Sequence, residues 1–171
     1  MAGFSNGGML AYRYAAERPQ TIAALSTLSA SLNSRASENS PFSVLIRPEL
    51  PVPLISFHGK EDLKIPYGGG KSPLKRGPRE FFSVEQSINF WVDYNNMQEV
   101  PHTEMLYDGW ITKKTWADPD NSNSVVLYSI EEWKHIWPSK YFTITLDTNH
   151  PLKGFDAPEI IWLFLRQHKR L

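Results

Sequence analysis

Two short apolar runs constrain this chain more than any other feature: residues 22–30, Ile-Ala-Ala-Leu-Ser-Thr-Leu-Ser-Ala, and residues 51–59, Pro-Val-Pro-Leu-Ile-Ser-Phe-His-Gly. Neither alternates apolar with polar residues, so a strand built from either has no face suited to water and must lie between two covering layers. Helical patterns stand where such layers need them. Residues 7–18 are good helix formers with Met9, Leu10, Tyr12, Arg13 and Ala16 at helical spacing, stopped by Pro19. Residues 83–94 return to that spacing through Val84, Ile88, Trp91 and Val92, and Ser83 with Gln86 reads as a capping box. Residues 124–130 are β-branched enough for a further strand, residues 103–116 give another strand candidate, and residues 158–168 close the chain as an amphipathic helix. Residues 31–43 and the glycine-rich 66–73 read as loops. The expected fold class is α/β, a parallel sheet with helices on both faces, in a single domain over residues 1–171.

Composition narrows the function. Lys plus Arg and Asp plus Glu each total 18, so no net field draws the chain to nucleic acid or to an anionic membrane surface, and neither is expected as a partner. There is no cysteine, which removes disulfides, thiolate metal sites and a cysteine nucleophile. No uncharged apolar run approaches the ~20 residues needed to span a bilayer. The N-terminus lacks the basic start and apolar run of a secretory signal. Thirteen prolines and six tryptophans suit a soluble, loop-rich α/β protein better than a helical bundle.

The chemistry-bearing pattern is Gly3-Phe-Ser5-Asn-Gly7, which fits G-x-S-x-G ahead of a helix. Small residues there permit a sharp turn that exposes the serine hydroxyl, with the backbone N–H of Asn6 aimed at the oxyanion of acyl transfer. The plainer alternative is a glycine-rich helix start with a capping serine. A serine nucleophile needs a histidine to take its proton and a carboxylate to orient that histidine, and in this turn's setting they follow in the order Ser, acid, His. Asp62 lies three residues past Gly59, at the end of the second apolar run, and His135 lies five past the strand ending at Ile130. Asp93, Asp108 and Asp147 are rival acids, but Asp93 falls in a predicted helix and the others lack a preceding buried strand with a His-Gly stop; His150, the rival base, lacks a strand immediately before it. His58, at a strand end, reads as a packed, hydrogen-bonded loop residue rather than a metal ligand. The basic stretch of Lys60, Lys64, Lys71, Lys75, Arg76 and Arg79 reads as a solvated loop, since it lacks phosphate-loop spacing. Trp110, Trp116, Trp133 and Trp137 either line an aromatic surface or pack in the core.

Three stretches, Gly3-Phe-Ser-Asn-Gly-Gly-Met-Leu-Ala-Tyr-Arg, His58-Gly-Lys-Glu-Asp-Leu-Lys-Ile-Pro-Tyr-Gly-Gly-Gly and His135-Ile-Trp-Pro, resemble the polyhydroxybutyrate depolymerase and feruloyl esterase family of α/β-hydrolase serine esterases. The resemblance implies Ser5, Asp62 and His135 as catalytic triad with Asn6 in the oxyanion hole; Trp137, from the tryptophans near His135, and Tyr67 are the substrate-binding candidates. It also implies a small-molecule or polymeric ester substrate, no cofactor or metal, and an extracellular or periplasmic location. The family places a set of strands before its serine, whereas only Met1 and Ala2 precede Gly3. The N-terminal strands, and with them the second oxyanion donor, are therefore expected to be missing, to be supplied by an N-terminal half or an oligomer partner. Where family members often carry cysteines this chain reads Asn95-Asn-Met97 and Tyr107-Asp-Gly109.

Overall fold

The computed structural model describes residues 1–34, 47–74, 80–98, 100–119 and 122–169. Its elements in chain order are β1 (Ala2–Phe4), α1 (Asn6–Glu17), β2 (Leu25–Leu28), β3 (Asn33–Ser34), β4 (Leu54–Gly59), β5 (Gly70–Lys71), β6 (Glu80–Phe81), α2 (Val84–Tyr94), β7 (His102–Leu106), β8 (Ile111–Ala117), β9 (Ser124–Ile130), α3 (Lys140–Thr143) and α4 (Ala157–Leu165), with a 3₁₀ turn at Pro19–Thr21. The main sheet has six strands in the order β1-β2-β4-β9-β8-β7. Strands β1, β2, β4 and β9 run parallel, and β8 and β7 return antiparallel on the β9 side.

The two apolar runs form β2 and β4 as expected, and every residue of both strands is buried. Their side chains divide between two cores. Leu25, Leu54, Val125 and Leu127 face α1 and α2, packing with Tyr12, Ile88 and Trp91. Leu28, Ile55, Phe57, Tyr128 and Ile130 face α4 and the loop before it, meeting Leu152, Phe155 and Ile161. Burying one such large side chain contributes roughly 1.5–3 kcal/mol, and the two-sided burial explains why neither strand shows alternation. The polar residues on the helical face are paired: Thr27 Oγ1 lies 2.9 Å from the Tyr12 hydroxyl and 3.0 Å from Ser56 Oγ, so their burial is compensated. Ser83 forms the expected capping box with Gln86 at the start of α2.

Several expectations are corrected. Residues 103–116 are two strands, because Tyr107, Asp108 and Gly109 all take left-handed backbone and reverse the chain between β7 and β8. A turn that short can join only antiparallel strands, so the sheet is mixed where an all-parallel one was expected. The glycine-rich segment 66–73 contains β5, which pairs with β6, itself paired with β3, in a small antiparallel sheet. A strand enters the Ser5 turn after all, in the short form of β1. Residues 35–43 of the expected 31–43 loop, and Lys75, Arg76 and Arg79 of the basic stretch, lie outside the described residues.

The register puts Phe4 beside Leu28, Leu28 beside Phe57, and Gly59 beside Ile130. The carboxyl ends of β1, β4 and β9 therefore open on one edge of the sheet, the usual place for ligand-facing loops in such folds.

Candidate active site

Ser5 sits between β1 and α1 at φ 56° and ψ −123°. A non-glycine residue held there stores strain of order 1–3 kcal/mol. Two backbone bonds hold it: Ser5 N–H donates to the Leu28 carbonyl at 2.9 Å, and Met9 N–H donates to the Ser5 carbonyl at 3.0 Å. The Ser5 side chain makes no capping bond to α1. Its Oγ instead lies 2.9 Å from His135 Nε2. Asn6, the first residue of α1, belongs to the turn whose N–H groups have no intrahelical acceptor.

Close approach decides which glycines the turn needs. A Cβ on Gly3 would stand 2.3 Å from the Gly7 carbonyl oxygen, and one on Gly8 would stand 2.6 Å from Ala30 Cβ and 2.9 Å from the Gly3 carbonyl oxygen. A Cβ on Gly7 would meet nothing within 4 Å. The sterically required pair is thus Gly3 and Gly8, and the Gly7 of the five-residue pattern is free to vary. Gly7→Ala is expected to raise stability by about 0.4–1 kcal/mol through lost unfolded-state entropy, whereas Gly8→Ala lowers it. Thermal unfolding followed by circular dichroism checks the pair, and a Gly7→Ala midpoint below that of the unsubstituted protein would contradict the assignment.

Asp62 and His135 arrive on loops that grip one another. Beyond β4, Lys60 N–H donates to the Ile130 carbonyl at 2.9 Å and Glu61 N–H to the Trp133 carbonyl at 3.1 Å. Gly59 makes this possible, since a Cβ there would come within 2.0 Å of the Trp133 oxygen. The Asp62 carboxylate is buried, with Oδ1 accepting from the backbone N–H of Lys64 at 2.8 Å and of Ile65 at 2.9 Å, and Oδ2 2.7 Å from His135 Nδ1. Burial by itself would raise the acid's pKa. Hydrogen bonds from His135, His58 and the Ile65 amide, with the nearby His58 ring, outweigh it and hold the group far below the usual carboxylate range. Asp62 is therefore an anion at neutral pH. A carboxylate only accepts, so Nδ1 of His135 carries a proton, and in the neutral imidazole the Nε2 lone pair then faces the Ser5 hydroxyl. That arrangement suits proton abstraction from the serine.

The Phe4 ring lies 5.0 Å from the His135 ring and 5.8 Å from that of Trp137. Trp137 is thus one ring removed from the imidazole, and half-buried. The other tryptophans serve elsewhere: Trp116 is buried in the core, Trp110 lies against His150 at 4.7 Å, and Trp133 donates its indole N–H to the Ile136 carbonyl at 2.9 Å. Tyr67 stands behind the acid loop. Its hydroxyl is 2.6 Å from Ser129 Oγ and donates to Glu85 at 3.2 Å, and its ring meets His58 edge-on at 5.9 Å. Burial, with help from Glu85, pushes that hydroxyl well above the ordinary tyrosine range, so it stays protonated.

None of the rival residues joins the cluster. Asp93 is exposed on α2, Asp108 lies in the β7–β8 turn, and Asp147 accepts from the Asn149 N–H at 3.1 Å. His150 uses Nδ1 to accept from the Leu152 N–H at 3.1 Å. Two residues near the centre were not site candidates in the sequence: Phe4, the first variable position of the glycine-serine pattern, and His58, four residues before the acid, which was weighed there only as a metal ligand and set aside. Among the described residues no group of three or more His, Asp or Glu gathers as a metal site.

No protein-family model matches the chain. Over 156 residues it is 27% identical to a protein of Nocardia uniformis subsp. tsuyamanensis named "Putative esterase NocK", in an alignment that covers 82% of this chain and 42% of that relative. The chain therefore resembles, over most of its own length, less than half of a protein that bears an esterase name.

Proposed function

We propose that this chain belongs to a serine hydrolase of α/β-hydrolase type that cleaves carboxylic esters, with Ser5 as nucleophile, His135 as base and Asp62 as orienting acid. The hydrogen-bonded chain from Ser5 Oγ through His135 to Asp62 carries this reading. Ser5 Oγ attacks the ester carbonyl while His135 Nε2 takes its proton. The oxyanion forms beside the Asn6 N–H. Collapse expels the alcohol, which receives the proton from His135, and leaves an acyl-serine. Water then repeats the sequence and releases the carboxylic acid.

The likeness to a protein named as an esterase supports ester over amide bonds. Within esters, the motif resemblance favours polyhydroxyalkanoate-type or feruloyl-type substrates, and Trp137 beside Phe4 is the acyl-contacting candidate. Tyr67, with its hydroxyl already committed, would contribute to such a site through the acid loop. A second reading is that these residues supply the triad while turnover needs a further segment. It is favoured by β1, which leads into Ser5 and stands at the edge of the sheet.

One experiment separates the readings. The purified chain is treated with a fluorophosphonate and offered p-nitrophenyl butyrate. An adduct on Ser5 with turnover supports the esterase, and an adduct without turnover supports the second reading. No adduct on Ser5, with a folded spectrum, removes both.

A further inference from the structure

The acid of the proposed triad has a second histidine on it. His58, expected in a loop, is the penultimate residue of β4 and is buried, its side chain wholly shielded from solvent. Its Nε2 lies 2.9 Å from the Ile65 carbonyl oxygen and 3.4 Å from Asp62 Oδ2. A carbonyl oxygen cannot donate, so Nε2 carries the proton and is shared between the two oxygens. Its other nitrogen, Nδ1, is buried with no partner among the described residues. A ring retained only for packing would do as well without nitrogens and would avoid that unpaired group. The polar work of His58 is therefore concentrated in one N–H, directed at the loop that holds the acid.

The consequences for Asp62 are geometric. Oδ1 is occupied by the amides of Lys64 and Ile65, and Oδ2 by His135. The His58 N–H, bonded to the Ile65 carbonyl, also stands 3.4 Å from Oδ2, so the side of the carboxylate left open by its three hydrogen bonds faces a donor and its freedom to turn is restricted. The same N–H pins the Ile65 carbonyl, so the strand end and the far side of the acid loop are clamped across residues 58–65. Behind the ring stands Tyr67, edge-on and itself fixed by Ser129 and Glu85, with Glu85 in turn held by Lys114 at 3.0 Å.

We infer that His58 is a positioning residue for this site: through its Nε2–H it fixes the orientation of the Asp62 carboxylate and so the direction of the His135 ring toward Ser5. The inference rests on the triad reading for its catalytic consequence. Its structural core is separable, because the Asp62–His135 hydrogen bond can be observed whether or not the protein turns over an ester.

The test uses the two amide residues that mimic the two imidazole nitrogens. In His58→Gln the terminal amide reaches the Nε2 position, whereas in His58→Asn it reaches only the Nδ1 position. The downfield proton resonance of His135 Nδ1–H, assigned by its loss in His135→Ala, should persist in His58→Gln and shift upfield or broaden away in His58→Asn. If the chain hydrolyses p-nitrophenyl butyrate, His58→Asn should lower kcat by about 10–100-fold, the size expected for a lost hydrogen bond to a charged group. KM should change little and His58→Gln should recover most of kcat. Identical resonances and rates in both variants would overturn the inference, as would equal losses in both, which would mean that only the ring's shape matters. An unaltered resonance pattern across the series in a protein that still loses turnover on Ser5→Ala would reject the role of His58 alone. Absence of any turnover, with the resonance behaving as expected, would reject the reading in which these residues turn over an ester by themselves and leave the positioning role standing.

Discussion

Ser5→Ala, with Ser5 the proposed nucleophile, is expected to reduce kcat for p-nitrophenyl ester hydrolysis by about 10⁴–10⁶-fold while KM stays within a few-fold, as in serine triads from which the nucleophile is deleted. The physical reason lies in the alignment at Ser5 rather than in binding. The strained backbone at φ 56° presents Oγ 2.9 Å from a nitrogen that the acid forces to be a lone-pair acceptor. Removing the oxygen removes the covalent route and leaves any surface that holds the ester. His135→Ala should cost a similar amount, and the double variant little more than either, since the groups act as one unit. Steady-state kinetics on the three proteins checks this. Additive losses would show that Ser5 and His135 do not share a step. The substitution should also leave the fold intact, because the serine side chain contributes no capping bond to α1.

Asp62→Asn should have the second-largest effect, about 10⁴-fold in kcat, and the local hydrogen bonds say why. The Lys64 and Ile65 amides need an acceptor where Oδ1 now lies. The asparagine oxygen must fill that place, which turns its NH₂ toward His135 Nδ1. The imidazole then accepts there and carries its proton on Nε2, where it cannot take one from Ser5. The same variant has a stability signature. The pKa of Asp62 is depressed in the folded protein, so the ionised group stabilises the fold fully above its unfolded value, near ~3.9, and the contribution is lost as pH falls below that value toward the folded one. Urea unfolding between pH 6 and 2.5 should therefore show the unsubstituted protein losing more stability than Asp62→Asn over the acid part of the range. Equal slopes would mean that the carboxylate is not held by its donors.

The sites of these effects were legible to different degrees. Ser5 announced itself through neighbours small enough for a sharp turn. Which glycine the turn requires was not visible, because that depends on Ala30, a residue from the loop after β2 that reaches Gly8 only once the sheet forms. Asp62 and His135 could be placed by their distance from strand ends, since a parallel sheet delivers its loops to one edge. Asp93, in a predicted helix, and His150, with no strand immediately before it, were already the weaker candidates in the sequence, and the fold places both away from the cluster. The turn at 107–109 was missed because two of its three left-handed residues, Tyr107 and Asp108, are not glycine. Propensity alone read straight through it as one strand.

By itself the sequence determined the two buried strands, the helices that flank them and the chain order of Ser5, Asp62 and His135. Apolar runs without alternation must be strands buried on both faces, helical spacing flanks them, and Gly3 through Gly8 admits few backbones other than a tight turn. The tertiary structure alone decided that Oγ of Ser5, both nitrogens of His135 and Oδ2 of Asp62 form one hydrogen-bonded line, and that the His58 ring stands 3.4 Å behind that oxygen. Those contacts join residues up to 130 positions apart. Their formation depends on strand register, on Gly59 letting the acid and base loops touch, and on burial that leaves the carboxylate no partner but the donors aimed at it, and none of these is a property of a local stretch of chain.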